Sequence, residues 1–159
     1  ALLSPMLVLF KAGIIKNSVA KEMLFHYFFE KESADKFNKV CMEYSQKISK
    51  IANPDIVRKI NEHQSKGHTL VLVRASVTNW IAPWALSFGF DKVIGTEIEV
   101  RKGKLTGRFS SKNCYGQEKV NRLQTEFPDR DNYVLYAYGD SAGDKQLLAY
   151  SDFPTLIKK

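Results

Sequence analysis

Apolar positions change period part-way along this chain. Up to about residue 52 they recur at helical spacing; beyond it, short apolar runs alternate with helical stretches. In "SADKFNKVCMEYSQKI", Phe37, Val40, Cys41, Tyr44 and Ile48 recur at steps of three and four, one stripe along a helix. Ser33 stands where its N-cap belongs. The preceding "VAKEMLFHYFFEK" is apolar on most sides and predicts a helix buried against several neighbours. His26 lies inside it and reads as a packed side chain, because no second ligand is spaced to join it. "NPDIVRKINEHQSKG" predicts another helix, with Asn53 to cap it, Pro54 at its first position and Gly67 at its end.

After Gly67 the pattern turns to strands. "TLVLVR", Thr69 to Arg74, is short, continuous and β-branched, as a buried parallel strand is. "SVTNWIAPWALSFGF" predicts a helix with Trp80, Trp84 and Phe88 on one side, Gly89 at its end, and Pro83 near its first turn or kinking it. "KVIG" is a second strand, and "TEIEVRKGKLTGRFS" alternates about Lys102 and Gly103 as a β-hairpin does. "GQEKVNRLQTEF" is a helix, "YVLYAY" a third buried strand, "AGDKQLLAYS" a short helix and "FPTLI" a last strand. From residue 53 onward this order predicts an α/β fold with an open, mainly parallel sheet. The helices before residue 53 read as a separate cap.

Composition narrows the class without naming a function. Of 159 residues, 44% are hydrophobic and 26% charged, which fits a globular domain and excludes a disordered chain. The net charge of +7 comes from scattered Lys and Arg, never three in a row, so it reads as a solvated basic surface suited to anionic substrates rather than a nucleic-acid site. Cys41 and Cys114 lie far apart and fit no metal spacing; reduced thiols and a cytoplasmic setting are the expectation. The opening "ALLSPMLVLFKAGII" is interrupted by Pro5 and Lys11 and falls short of the roughly 20 residues of a membrane span. It reads as a core or cap helix, with weak membrane-surface contact as the minority alternative.

The candidate chemistry lies at the strand ends, where open α/β sheets bind ligands. "YVLYAY" runs straight into Gly139, Asp140, Ser141, Ala142, Gly143 and Asp144. Two carboxylates four residues apart among small residues suit a hard cation such as Mg²⁺, which takes one or two carboxylates, several waters and a phosphate oxygen. The bland alternative makes Asp140 and Asp144 turn and N-cap residues. After "TLVLV" come Arg74, Ala75 and Ser76; hydroxyls on Ser76 and Thr78, with backbone donors beside them, are candidates to hold phosphate oxygens. Lys119 supplies a cation to offset their charge.

The order "VLVRAS", "NCYGQEKV", "YAYGDSAGD" resembles motifs two, three and four of the haloacid dehalogenase superfamily. The flanking "FGFDKVIGTEIEVRKGKLTGRFS" and "KQLLAYSDFPTLI" are similar to its phosphoserine-phosphatase-like branch. The resemblance covers roughly residues 1 to 157 and implies a three-layer, Rossmann-like core with a helical cap inserted after the first core strand. It implies a cap over 1–52 and a core over 53–159, the first core strand lying upstream of residue 1. It implies a Mg²⁺-dependent phosphohydrolase acting through an aspartyl-phosphate on a small phosphorylated substrate, by default a phosphoserine-like ester. Lys119 and Asp144 would be catalytic, Asp140 and Asp144 would serve the metal, and Arg74, Ala75, Ser76 and Lys119 would bind phosphate.

Two departures qualify that expectation. No apolar strand ending in Asp-x-Asp-x-Thr occurs here, so the attacking carboxylate is expected upstream, and the chain as written should not turn over phosphate esters. Arg74 occupies the position where the family has Ser or Thr, and its fork is far larger than a hydroxyl. Two alternatives stay open: a lipid phosphate phosphatase of the phosphatidylglycerophosphatase type, and a catalytically inactive binding module. No substrate identity and no oligomeric state follow from the pattern.

Overall fold

The computed structural model describes residues 16–157. The opening apolar segment, with the core-helix and membrane-surface readings made of it, lies outside the described residues.

Three helices come first: α1 (Asn17–Phe29), α2 (Ala34–Ile48) and α3 (Pro54–Ser65). The predicted caps are present. The Ser33 side chain accepts from the Lys36 N–H and the Asn53 side chain from the Asp55 N–H, with Pro54 opening α3. The α2 stripe packs as its spacing predicts, burying Phe37, Cys41 and Ile48, whereas Val40 and Tyr44 face outward.

α1 departs from expectation. Only Ala20 and Phe25 are buried, while Val19, Met23, Tyr27 and Phe28 stand exposed. The reason is that α1 packs along one face, against the strand β4 (Lys104–Phe109) and, through Phe25 and Phe29, against Phe37 of α2. His26 is accordingly not a packed histidine: it is exposed, 3.5 Å from Glu30.

The α/β part follows as β1 (Val71–Val77), α4 (Thr78–Ser87), β2 (Lys92–Thr96), β3 (Ile98–Arg101), β4, α5 (Gln117–Glu126), β5 (Tyr136–Gly139), α6 (Lys145–Tyr150) and β6 (Phe153–Leu156). β1 pairs with β2 and β5 with β6, both parallel; β3 and β4 form the antiparallel hairpin. Lys102 and Gly103 turn that hairpin with φ of 50° and 73°, the left-handed conformation a tight turn of this kind needs. Pro83 falls inside α4 rather than at its first turn.

Three apolar clusters hold these elements. Ile48, Ile60, Ile81, Trp84 and Phe90 join α2 and α3 to α4. Ile94, Val120, Leu123, Ala137 and Leu147 pack α5 and α6 on the strands. Phe25, Phe37, Cys41, Val77 and Leu105 tie the first two helices to β1 and the hairpin. Both cysteines are buried free thiols, and burial pushes that of Cys41 up to about 11.

The parallel strands do not form one ladder. The β1–β2 pair and the β5–β6 pair are separate two-stranded sheets. Between them lies a cavity of about 1610 Å³, lined by β1 on one side and by Leu135 to Asp140 on the other. Neither β1 nor β5 pairs with any strand on the side facing it among the described residues.

Candidate active site

The β5 rim of the cavity is built from a short stretch of chain. β5 ends at Gly139, and a 3₁₀ turn over Ala142–Asp144 carries Asp144 back over the strand end. Gly139 is required there, because a Cβ on it would stand 2.5 Å from the Asp144 Cβ. Asp144 Oδ2 accepts from the Ser141 N–H at 3.0 Å, the Ser141 hydroxyl at 2.6 Å and the Asp140 N–H at 3.2 Å. Its Oδ1 accepts from Lys119 Nζ at 2.5 Å.

Lys119 sits on the buried face of α5 and also donates to the Val73 carbonyl at 3.2 Å. Lys119 and Asp144 are each only 6% exposed. Burial pushes the Asp144 carboxyl up, but the Lys119 ammonium and the Ser141 hydrogen bonds outweigh it, and the net direction is down. Both oxygens of Asp144 are thus committed, and it stands as the group that orients Lys119. Asp140, one residue past β5, is exposed and makes no ion pair among the described residues.

The β1 rim differs from expectation in one respect. β1 runs to Val77, so Arg74, Ala75 and Ser76 lie within the strand rather than after it. The ladder slips there: Val73 pairs with Ile94 and Val77 with Thr96, so Arg74 to Ser76 lie against Gly95 alone. Such a bulge re-aims side chains, and bulges concentrate beside functional sites. Arg74 is exposed, whereas Ala75 and Ser76 are half-buried. Thr78, a sequence candidate for phosphate, gives its hydroxyl to Glu97 at 2.6 Å.

Two residues at this rim, Thr96 and Lys21, escaped the sequence reading. The buried Thr96 hydroxyl donates to the Ala75 carbonyl at 3.1 Å and accepts from the Cys114 N–H at 3.1 Å, tying the bulge to the loop before α5. Lys21, from α1, reaches the Ala75 carbonyl at 3.5 Å. Burial lowers its basicity, and the nearby Lys119 and Arg74 cations lower it further. A lone Lys within the apolar run of α1 was the only available signal, and it gives no hint of its partner.

The donors fit a hard cation only in part. No cluster of three His, Cys, Asp or Glu occurs among the described residues. The β5 rim offers oxygen donors alone, with one uncommitted carboxylate, Asp140; that suits Mg²⁺ completed by water, substrate and another carboxylate.

A sequence profile described as haloacid dehalogenase-like hydrolase matches residues 1–149. Protein CicA of Caulobacter vibrioides is 36% identical over 103 residues, covering 64% of this chain and 46% of that protein. The chain therefore spans about half the length of that curated relative. A Bordetella pertussis protein of unknown function superposes with a TM-score of 0.79 at 22% identity, over 92% of this chain and 68% of the other. A structure titled "probable phosphoserine phosphatase" from Vibrio cholerae superposes at 0.71 and 15% identity, over 94% of this chain and 45% of the other. At such identities the two structures establish the α/β fold alone. Among the described residues, no helix is long and apolar enough to cross a membrane.

Proposed function

The chain belongs to the haloacid dehalogenase-like hydrolases, and from that premise we propose that it supplies most of a Mg²⁺-dependent phosphatase acting on a small phosphomonoester. The observation that carries this reading is the buried Lys119–Asp144 pair, set at the strand ends beside the free carboxylate of Asp140. A phosphate dianion attacked by a carboxylate needs fixed positive charge close by, and Lys119, held by Asp144 and the Val73 carbonyl, supplies it without reorganising.

The attacking aspartate belongs, in this reading, to a strand preceding residue 1. The cavity between β1 and β5 supports that assignment: both bordering strands are parallel to their partners and, among the described residues, unpaired toward the gap. A parallel strand seated there would end beside Asp140 and Lys119. It would bring a nucleophile that forms the aspartyl-phosphate and a second carboxylate that protonates the leaving group and then activates water. Residues 1–52 are the cap and residues 53–159 the core.

Asp140 would hold the cation, together with the upstream carboxylate; Mg²⁺ there offsets phosphate charge. Asp144 orients Lys119 and fixes the Asp140 backbone. The Ser76 hydroxyl and the backbone of Ala75 and Ser76, re-aimed by the bulge, are the phosphate-binding candidates on the β1 rim, with Arg74 exposed beside them.

The test is made on the full-length protein. It should hydrolyse phosphomonoesters in a magnesium-dependent way, and Asp140→Asn should weaken the magnesium response and cut turnover at least ~100-fold, the scale of losing one charge-stabilising group. An unchanged magnesium titration in Asp140→Asn would remove Asp140 from the cation's ligands.

A further inference from the structure

Thr96 closes β2 and is only 1% exposed. An apolar β-branched side chain would fill such a position at no polar cost, whereas a buried hydroxyl costs free energy unless it is hydrogen-bonded. Both of its bonds are made. It donates to the Ala75 carbonyl at 3.1 Å and accepts from the N–H of the fully buried Cys114 at 3.1 Å. Valine would keep the shape and leave that N–H without its partner.

The two groups that Thr96 joins belong to the two halves of the site. Ala75 lies in the β1 bulge beside Ser76. Cys114 stands in the loop that leads into α5 and Lys119. That loop is fastened at its other end to the β5 rim. The Gly116 N–H donates to the Gly143 carbonyl at 3.1 Å, and the Tyr115 ring covers Gly143 so closely that a Cβ there would stand 2.4 Å from it. The loop thus runs from rim to rim, and Thr96 is its attachment on the β1 side.

Two neighbours fix the same corner. The Arg122 guanidinium donates to the Gly95 carbonyl and, at 2.6 Å, to the Lys112 carbonyl, so it holds the end of β2 to the start of that loop. Gly95 lies against the bulge with no room for a side chain: a Cβ would stand 2.6 Å from Thr78 Oγ1 and 3.0 Å from the Ser76 carbonyl. Gly95, Thr96, Cys114 and Arg122 do not line the cavity, so these contacts are independent of what fills it.

We propose that the end of β2 positions the phosphate: the Thr96 hydroxyl, a positioning residue seated beside Gly95, sets the spacing between the phosphate-binding bulge at Ala75–Ser76 and the ammonium of Lys119. This deepens the phosphatase reading above and rests on it. Thr96 touches no substrate. It acts because two groups on separate elements must meet one phosphate, and a misplacement of about 1 Å costs on the order of 100-fold in rate.

The experiment uses the full-length protein, with p-nitrophenyl phosphate as substrate, inorganic phosphate as inhibitor and a magnesium titration. Thr96→Val should weaken phosphate inhibition about 10-fold, the scale of one lost hydrogen bond with its partner left unsatisfied. It should lower kcat by about 10- to 100-fold through misalignment. The magnesium midpoint should stay where it is, because the Asp140–Asp144 turn is held by its own bonds. Thr96→Ser keeps the hydroxyl and should restore both phosphate inhibition and kcat. A lower melting temperature in Thr96→Val with inhibition and kcat unchanged would make Thr96 a structural hydroxyl, overturning the proposal while the phosphatase reading stands. A Thr96→Ser variant as impaired as Thr96→Val would overturn it too, as would a magnesium midpoint that shifts along with kcat, the mark of general loosening. If Thr96→Val does not fold, Gly95→Ala takes its place: its methyl group pushes on the Ser76 carbonyl and should weaken phosphate inhibition, and unchanged inhibition there overturns the proposal. If the wild type neither hydrolyses p-nitrophenyl phosphate nor binds inorganic phosphate, the phosphatase reading fails and this inference fails with it.

Discussion

The two rims of the cavity are built in opposite ways. The β5 rim is acidic and its centre is assembled from neighbours in sequence: Asp140, Ser141 and Asp144 bond to one another, and Lys119, 25 residues away, and the Gly116 N–H join them from elsewhere. The β1 rim is basic and assembled from afar. Its Ala75 carbonyl is met by Thr96, 21 residues on, and by Lys21, 54 residues back, while Arg74 makes no ion pair among the described residues. A rim made of local hydrogen bonds is preorganised whether or not a ligand is present. A rim of distant contacts is only as fixed as each of them.

The sharpest way to break that contrast is Lys119→Met. Removing one member of a buried ion pair leaves the other charge uncompensated, and the cost is about 3 kcal/mol or more. Urea unfolding of this chain should register that loss, and Lys119→Met/Asp144→Asn should recover part of it. In the full-length protein, turnover should fall at least ~100-fold in both variants. A mild stability change with activity retained would mean that the acidic rim is no more preorganised than the basic one.

The same difference explains what the sequence could disclose. The β5 rim was legible because its grammar is local: a β run, a glycine where a side chain would strike Asp144, and carboxylates at fixed short spacing. Caps at Ser33 and Asn53 and the turn at Lys102–Gly103 were legible for the same reason. The bulge at Arg74–Ser76 was not, because it depends on register against β2, a property of the pair rather than of either strand. Thr96 and Lys21 were missed because their meaning is a contact with Ala75, and nothing near them in the chain points to it. The exposed face of α1 was misread as buried because an all-round apolar helix says only that its faces want cover, not which of them receive it.

A smaller effect separates the rims by acid. The Asp144 carboxyl is held below its ordinary value by Lys119 and the Ser141 bonds, against the opposing effect of burial. Its ionised form therefore adds stability that is complete above the unfolded carboxyl value of about 4 and is lost as pH falls through the lower folded value. Unfolding free energy should drop more steeply with acid below about pH 4 in the wild type than in Asp144→Asn. Parallel acid limbs in the two proteins would show that the ion pair contributes nothing to folding.

The smallest expected effect belongs to Arg74, and it decides what kind of rim β1 provides. An exposed guanidinium without a fixed partner acts on an anion through a screened field, worth roughly 0.2–1 kcal/mol. Arg74→Ser should therefore weaken inorganic phosphate binding by no more than about fivefold at low salt, and the difference should shrink as ionic strength rises. The serine hydroxyl offers a short donor at the bulge and offsets part of the loss. A far larger drop that persists at high salt would mean that the arginine fork grips phosphate directly. The β1 rim would then contain its own fixed anion ligand, preorganised like its acidic counterpart.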